Sequence, residues 1–212
     1  MALQLGDTAP DFTADSTAGE IHFHEYGGAS WTLLFSHPAD FTPICTTELG
    51  AFAKRKAEFD RRNVKLIGVS VDPLDSHRGW AADIEDTQGA ALNYPLLADP
   101  ERKIAGLYGM IHPNADPKVT VRTVFVIDPA KKLRLTLTYP SSTGRSVDEI
   151  LRVIDSLQLT DNYKVGTPVE WKSGDDVVIS ASLGEDEAHK LFPKGWDEQK
   201  PYLRVTPQPP QT

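Results

Sequence analysis

The chain has 212 residues, 40% of them hydrophobic and 25% charged, with a net charge of −8. That length suits one domain of ordinary size plus an extra segment, and it is enough to bury a sizeable core. The acidic balance disfavours general binding to nucleic acid or to an anionic membrane surface, and a single cysteine rules out an intrachain disulfide, which fits a reducing compartment.

Met1 to Asp7 has no basic stretch and no long apolar run. Neither a signal peptide nor a membrane-inserted helix is therefore expected, and the expected location is cytoplasmic. Trp31 to His37 is a short apolar run closed by Pro38 and reads as a buried strand. Pro38 and Pro43 force irregular backbone over 38–44. From Thr46 the period changes: Leu49, Phe52, Ala53, Lys56 and Phe59 fall near one helical stripe, and Asn63 ends that helix. Val64 to Val71 is the next strand, closed by Asp72-Pro73. A helix over 75–86, a strand over Tyr94 to Ala98 and a short helix over 101–108 follow. Pro113 and Pro117 break any regular element in the loop 111–118.

Val121 to Ile127 is rich in β-branched residues. Asp128 to Lys131 turns the chain, and Leu133, Leu135, Leu137 and Tyr139 alternate with polar residues, which predicts a hairpin with a half-exposed second strand. Ser146 and Glu149 form a capping box opening a helix whose apolar face is Val147, Ile150, Leu151, Ile154 and Leu157. Beyond about residue 160 come turns, a β-like run at Val177 to Ser180, a small helix at Glu185 to Leu191 and an unstructured end from Thr206. This order argues for an α/β layer structure without settling its topology.

Cys45 follows a buried strand and stands where a helix opens. A helix N-terminus draws a thiol toward thiolate, the nucleophilic form. Ionisation alone is too little: going from about 3% to mostly thiolate is roughly thirtyfold, against the millionfold or more typical of enzymes. The site must also bind its substrate and stabilise departing charge. Thr42, three positions earlier, carries a hydroxyl that accepts and donates hydrogen bonds, and the free N–H groups at the helix start can bind an oxygen substrate.

The segment Pro38-Ala-Asp-Phe-Thr42-Pro-Ile-Cys45-Thr-Thr-Glu48 resembles the peroxiredoxin pattern Pro-x-x-x-Thr/Ser-x-x-Cys. The resemblance extends to Val121-Arg122, to Tyr139 through Arg145, to Asp161-Asn-Tyr163, to Phe192-Pro-Lys-Gly195 and to Tyr202 through Gln208. The solitary cysteine and the C-terminal segment point to the one-cysteine subgroup. The resemblance implies a thioredoxin-like α/β fold, a central mixed sheet flanked by helices. Residues 1–162 would form the peroxidase domain, and 163–212 an extension contacting the other subunit of a homodimer. Cys45 would be the peroxidatic cysteine, becoming sulfenic acid as it reduces hydrogen peroxide or an organic hydroperoxide. Thr42 would hydrogen-bond thiolate and peroxide, Arg122 would lower the thiolate pKa and hold the peroxide, and Pro38 would shield the sulfur. Glu48 and Arg145 would support Arg122, and His37 would tune the site. With no second cysteine, an external reductant is required; glutathione, thioredoxin-type proteins and ascorbate are the family's candidates. No cofactor motif is visible.

Other readings point elsewhere. His22 and His24 would share one face of a strand, but no acidic or cysteine cluster completes a metal site. His77, His112 and His189 show no partner pattern. Gly28-Ala-Ser30-Trp-Thr32 partly matches a lipase-like motif that some relatives carry, with Ser30 and His24 in place. The final glycine is Thr32, the aspartate's place is taken by Ala130, and Ser30 precedes a strand, whereas a nucleophile elbow needs a strand–turn–helix. A redox sensor or chaperone switched by Cys45 oxidation, and a lipid hydrolase built on Ser30, are the alternatives to a peroxidase.

Overall fold

Every residue of β3 (Trp31–Ser36) is buried, as are nearly all of β4 (Val64–Ser70) and all of β6 (Arg122–Ile127). Strands covered on both faces read as continuous apolar runs, which is why these three stand out in the sequence. The computed structural model describes residues 3–210 and divides between Val147 and Asp148 into two compact units.

The first unit is a seven-stranded sheet in the order β2-β1-β5-β4-β3-β6-β7. β3 and β4 are parallel, and so are β4 and β5 (Leu96–Ala98), while β6 runs antiparallel to β3 and pairs with β7 (Leu133–Tyr139) as the expected hairpin. β1 (Thr13–Ser16) and β2 (Gly19–His22) form a second hairpin at the opposite edge. Helices α2 (Pro43–Lys54) and α3 (Lys56–Arg61) connect β3 to β4, and α4 (Leu74–Gln88) connects β4 to β5. Helix α5 (Lys103–Leu107) follows β5. This is the mixed central sheet flanked by helices that the resemblance implies.

Alternation along β3 divides the core. Leu34 packs with Ile67, Val69, Ile104, Tyr108 and Phe125 on one face. Phe35 points to the other, stacked on Phe52 of α2 at 4.4 Å. Helices α2 and α4 approach closely at Gly50, where a Cβ would lie 2.5 Å from the Gln88 side chain.

Three readings change. Helix α2 begins at Pro43, not Thr46, because proline is well suited to the first helical position; Cys45 therefore lies inside its first turn. The single expected helix breaks at Arg55, whose φ of −97° and ψ of 5° are not helical. His22 ends β2, and His24 belongs to the five-residue helix α1 (Phe23–Gly27), so the two do not share a strand face.

The second unit holds α6 (Val147–Asn162), which begins directly after Ser146, and the expected small helix α7 (Glu185–Leu191). It also has a four-stranded antiparallel sheet, in the order β10 (Asp197–Lys200), β11 (Leu203–Thr206), β9 (Val177–Ile179), β8 (Val165–Gly166). Leu159, Val165, Trp171, Val177, Ile179 and Phe192 share its apolar cluster. Of the end expected to lack structure, Thr206 closes β11, residues 207–210 form no regular element, and residues 211 and 212 lie outside the described residues.

Candidate active site

The chain leaves β3 at Ser36 and enters α2 through the loop 37–42. Phe41 has a φ of 53°, in the left-handed region that a bulky side chain rarely adopts. The next residue, Thr42, is extended and precedes Pro43 at the helix start; its hydroxyl donates to the Ala39 carbonyl at 2.8 Å, leaving its lone pairs to accept. The first helical bond runs from the Thr46 N–H to the Thr42 carbonyl at 3.0 Å. The N–H groups of Ile44 and Cys45 therefore have no intrahelical acceptor and point past the helix start. Cys45 is fully buried, and Pro38 is buried as well.

Three buried charges lie beside the sulfur. Arg122, at the start of β6, donates from Nη1 to Cys45 Sγ at 3.2 Å and to Glu48 Oε2 at 2.7 Å. Its Nε and Nη2 both donate to the Ser141 carbonyl, at 3.1 and 2.8 Å. Glu48, one turn beyond Cys45, accepts from Arg145 as a fork: Nε to Oε1 at 2.9 Å and Nη2 to Oε2 at 2.7 Å, with the Arg145 backbone N–H on Oε1 at 2.8 Å. Arg145 also donates to the Ser36 carbonyl and lies over the Phe35 ring, 5.1 Å from its centroid. Burial pushes the Glu48 carboxyl up, but the charge and hydrogen bonds of Arg145, with Arg122 behind it, outweigh this and hold it below its ordinary value. Two guanidinium cations thus face one carboxylate, and the excess positive charge sits against Sγ.

A second buried cluster ties the loop to α4. His37 Nε2 meets Asp40 Oδ1 at 2.9 Å, and His77 Nδ1 meets Asp40 Oδ2 at 2.7 Å. Ser76 Oγ donates to Oδ2 at 2.8 Å, and the Asp40 N–H donates to Asp72. Burial pushes the His37 imidazole down, outweighing the pull of Asp40. Burial would raise the Asp40 carboxyl, but hydrogen bonds from both histidines hold it well below the usual carboxylate range. His37 Nδ1 is buried with no hydrogen-bond partner among the described residues. The ligating atoms of His37, Asp40 and His77 lie within 4.8 Å of one another, so this is the group that could hold a metal ion among the described residues. Those atoms are already occupied by hydrogen bonds to each other. Trp80 of α4 closes the other side, donating to Thr46 Oγ1 at 3.2 Å with its ring 5.4 Å from that of His37.

The structure therefore brings Cys45, Arg122, Glu48 and Arg145 into one network, with Pro38, Thr42 and His37 on the loop that feeds it. Arg145, expected from the resemblance to support Arg122, is buried. Asp40 and His77 were not singled out; they are 37 positions apart, and only the packing of α4 on the loop joins them. The Ser30 motif is dispersed. Ser30 Oγ donates to Asn63 at 2.7 Å while His24 Nε2 is engaged with the Ala9 carbonyl at 2.8 Å. Ser30 lies between α1 and β3, a helix–turn–strand order opposite to that of a nucleophile elbow. Among the described residues no helix is long and apolar enough to cross a membrane.

Residues 5–136 match the AhpC/TSA family, and residues 156–195 match the C-terminal domain of 1-Cys peroxiredoxin. The chain is 56% identical over 207 residues to a 1-Cys peroxiredoxin of Dictyostelium discoideum, covering 98% of this chain and 86% of that one. Its fold is similar to the crystal structure of a cysteine-to-serine mutant of peroxiredoxin 6 from Arenicola marina, with a TM-score of 0.92, 44% identity and coverage of 99% and 100%. A yeast mitochondrial 1-Cys peroxiredoxin, whose thiol is resolved through glutathione/thioredoxin systems, matches with a TM-score of 0.92 and 51% identity over 97% of this chain and 99% of that one.

Proposed function

This chain belongs to the AhpC/TSA family, in its one-cysteine peroxiredoxin branch with a thioredoxin-like fold, and from that premise we propose how its residues divide the work. It is a thiol-dependent peroxidase that reduces hydrogen peroxide and organic hydroperoxides through Cys45. The Cys45 thiolate attacks one peroxide oxygen; the O–O bond breaks, the sulfur becomes sulfenic acid, and the departing oxygen leaves as water or an alcohol after taking up a proton. A first external thiol condenses with the sulfenic acid, releasing water and forming a mixed disulfide. A second thiol then attacks that disulfide and returns Cys45 to its starting state.

Arg122 in this reading stabilises negative charge on Sγ and on the peroxide oxygens. Thr42, whose own hydroxyl proton lies on the Ala39 carbonyl, accepts a hydrogen bond from the peroxide O–H, and the free N–H groups at the start of α2 receive the departing oxygen. Pro38 excludes water, Glu48 and Arg145 fix the Arg122 fork, and His37 tunes the loop. The observation that carries this is the Arg122 donor 3.2 Å from Sγ, inside a buried cluster that has one cation in excess. The test mixes purified protein with peroxide and a panel of glutathione, a thioredoxin system and ascorbate, and follows peroxide loss. Many turnovers with a thiol, absent in Cys45→Ser, are expected. One turnover followed by a stalled oxidised protein would identify a sensor instead.

A glutathione- or thioredoxin-type reductant is favoured by the yeast relative, and a cytoplasmic site by the solitary thiol. The functional unit in this reading is a homodimer. β7 stands at the sheet edge with alternating exposure, a strand suited to pairing with its twin, and residues 163–212 add contacts to the partner. Sedimentation at micromolar concentration is expected to give a dimer; a monomer there would remove this part of the reading.

A further inference from the structure

Arg122 is aimed from its far side by a backbone carbonyl. Its Nε and Nη2 both donate to Ser141, at 3.1 and 2.8 Å, so one edge of the planar guanidinium is fixed on a single oxygen. That leaves Nη1 to donate to Glu48 Oε2 at 2.7 Å and to Cys45 Sγ at 3.2 Å. The direction of the Ser141 carbonyl therefore sets where Nη1 points.

That direction is a property of the turn that follows β7. The Thr143 N–H donates to the Pro140 carbonyl at 3.1 Å, which makes 140–143 a four-residue turn with Ser141 and Ser142 at its central positions. Neither serine has a positive φ. Type II needs a positive φ at the third residue and the mirror-image types need one at the second, so the turn is type I. Types I and II share their end residues and differ by about a half-turn of the central peptide, the one to which the Ser141 carbonyl belongs. In the type II form that oxygen points away from Arg122 while Pro140 and Thr143 stay in place. The local obstacle to this flip is the Cβ of Ser142, because a positive φ is costly for a residue other than glycine. The flanks stay engaged in either form. A Cβ at Gly144 would lie 3.6 Å from Ile44 Cγ2, and Arg145 holds Glu48 through its backbone N–H and its guanidinium.

We propose that the exposed Ser142 is a positioning residue for the peroxidatic site: its Cβ holds the turn 140–143 in the type I form, which keeps the Ser141 carbonyl on Arg122 and Arg122 Nη1 on Cys45 Sγ. The aim of Arg122 does not depend on the peroxidase reading; only its effect on rate rests on that reading.

Two variants of the full-length reduced protein separate turn type from the loss of the serine hydroxyls. Ser141→Pro/Ser142→Gly carries the residues that favour type II, and Ser141→Pro/Ser142→Ala keeps the Cβ that opposes it. Proline at 141 removes no hydrogen bond, because the Ser141 N–H makes none among the described residues. In protein labelled with 15N-arginine, the Arg122 Nε–H signal is assigned by its loss in Arg122→Lys. Its protection from exchange with water is expected to be at least about tenfold weaker in the glycine variant than in the alanine variant. The second-order rate constant with hydrogen peroxide is expected to be lower by about fivefold or more in the glycine variant than in the alanine variant, as for a small misplacement of reacting groups, with the same circular dichroism. Equal Nε–H protection in the two variants overturns the proposal, whatever the turnover assay gives. Weakened protection with equal rate constants overturns the positioning role and leaves the peroxidase reading standing. Should the doubly substituted chains not fold, Ser142→Gly and Ser142→Ala, compared in the same two measurements, decide.

Discussion

Arg122, Glu48 and Arg145 place two cations against one anion, whereas in the second cluster Asp40 stands between His37 and His77 and joins loop to helix by hydrogen bonds. Both clusters are buried, both bear on the dozen residues around Cys45, and both depend on a carboxylate whose ionised form is favoured by its partners. The difference lies in the remainder. An unbalanced cluster has a charge left to offer, and its donor is directed at Sγ. The second cluster directs its hydrogen bonds at its own members and serves to hold backbone. Burying ions is unfavourable unless they are paired, so an excess cation kept 3.2 Å from a thiol is the more informative of the two arrangements.

The largest expected effect comes from removing the sulfur that the excess charge faces. Cys45→Ser should lower thiol-dependent peroxide consumption by at least roughly a thousandfold with both clusters intact; residual turnover near wild type would place the chemistry elsewhere. Arg122→Ala comes next. It leaves Glu48 forked to Arg145, so the fold should survive. The rate constant with peroxide should drop by about a hundredfold or more, the loss seen when one donor to a developing oxyanion is removed. Stopped-flow kinetics reads this directly, and an unchanged rate constant would reduce Arg122 to a structural role. Arg122→Lys should recover only part, since an ammonium cannot reach the Ser141 carbonyl, Glu48 and Sγ together.

Glu48→Gln shifts the unbalanced cluster further, leaving two guanidinium groups with no anion. Breaking a buried pair in this way is expected to destabilise the protein by about 3 kcal/mol, read from urea midpoints. The acid limb follows the same logic. The Glu48 carboxyl is held below its ordinary value when folded. Its contribution is therefore complete above the unfolded value of about 4.3 and is lost as pH falls through the folded value. Urea midpoints between pH 7 and pH 3 should fall less steeply in Glu48→Gln; an identical slope would detach Glu48 from the acid limb. Ser30→Ala, remote from both clusters and bonded to Asn63, is the smallest change. Peroxidase rates should be unaltered and stability moved by no more than about 0.5 kcal/mol; a lost rate would tie Ser30 to the site.

Local chemistry explains which parts were legible. β3, β4 and the β6–β7 hairpin carry runs long enough for a period to emerge, and α7 has its expected bounds. Cys45, Thr42 and Pro38 sit within eight positions, so their spacing alone reads as a reactive loop. β1, β2 and β10 have four residues each and α1 has five, too few to show periodicity, and they were missed. The His22/His24 pairing failed for the same reason, because the strand ended between them.

The amino-acid order by itself determined the nucleophile, the turn that presents it and the class of chemistry, since these depend on neighbours a few bonds apart. Tertiary structure alone decided which distant charges meet. Arg145, which family resemblance but no local pattern set beside Glu48 and Arg122, grips Glu48 across 97 positions, and His77, which has no pattern around it, meets Asp40. Such pairings follow from how α4 and β6 pack around the start of α2, and burial in that packed interior makes each charge demand a partner that no stretch of sequence specifies.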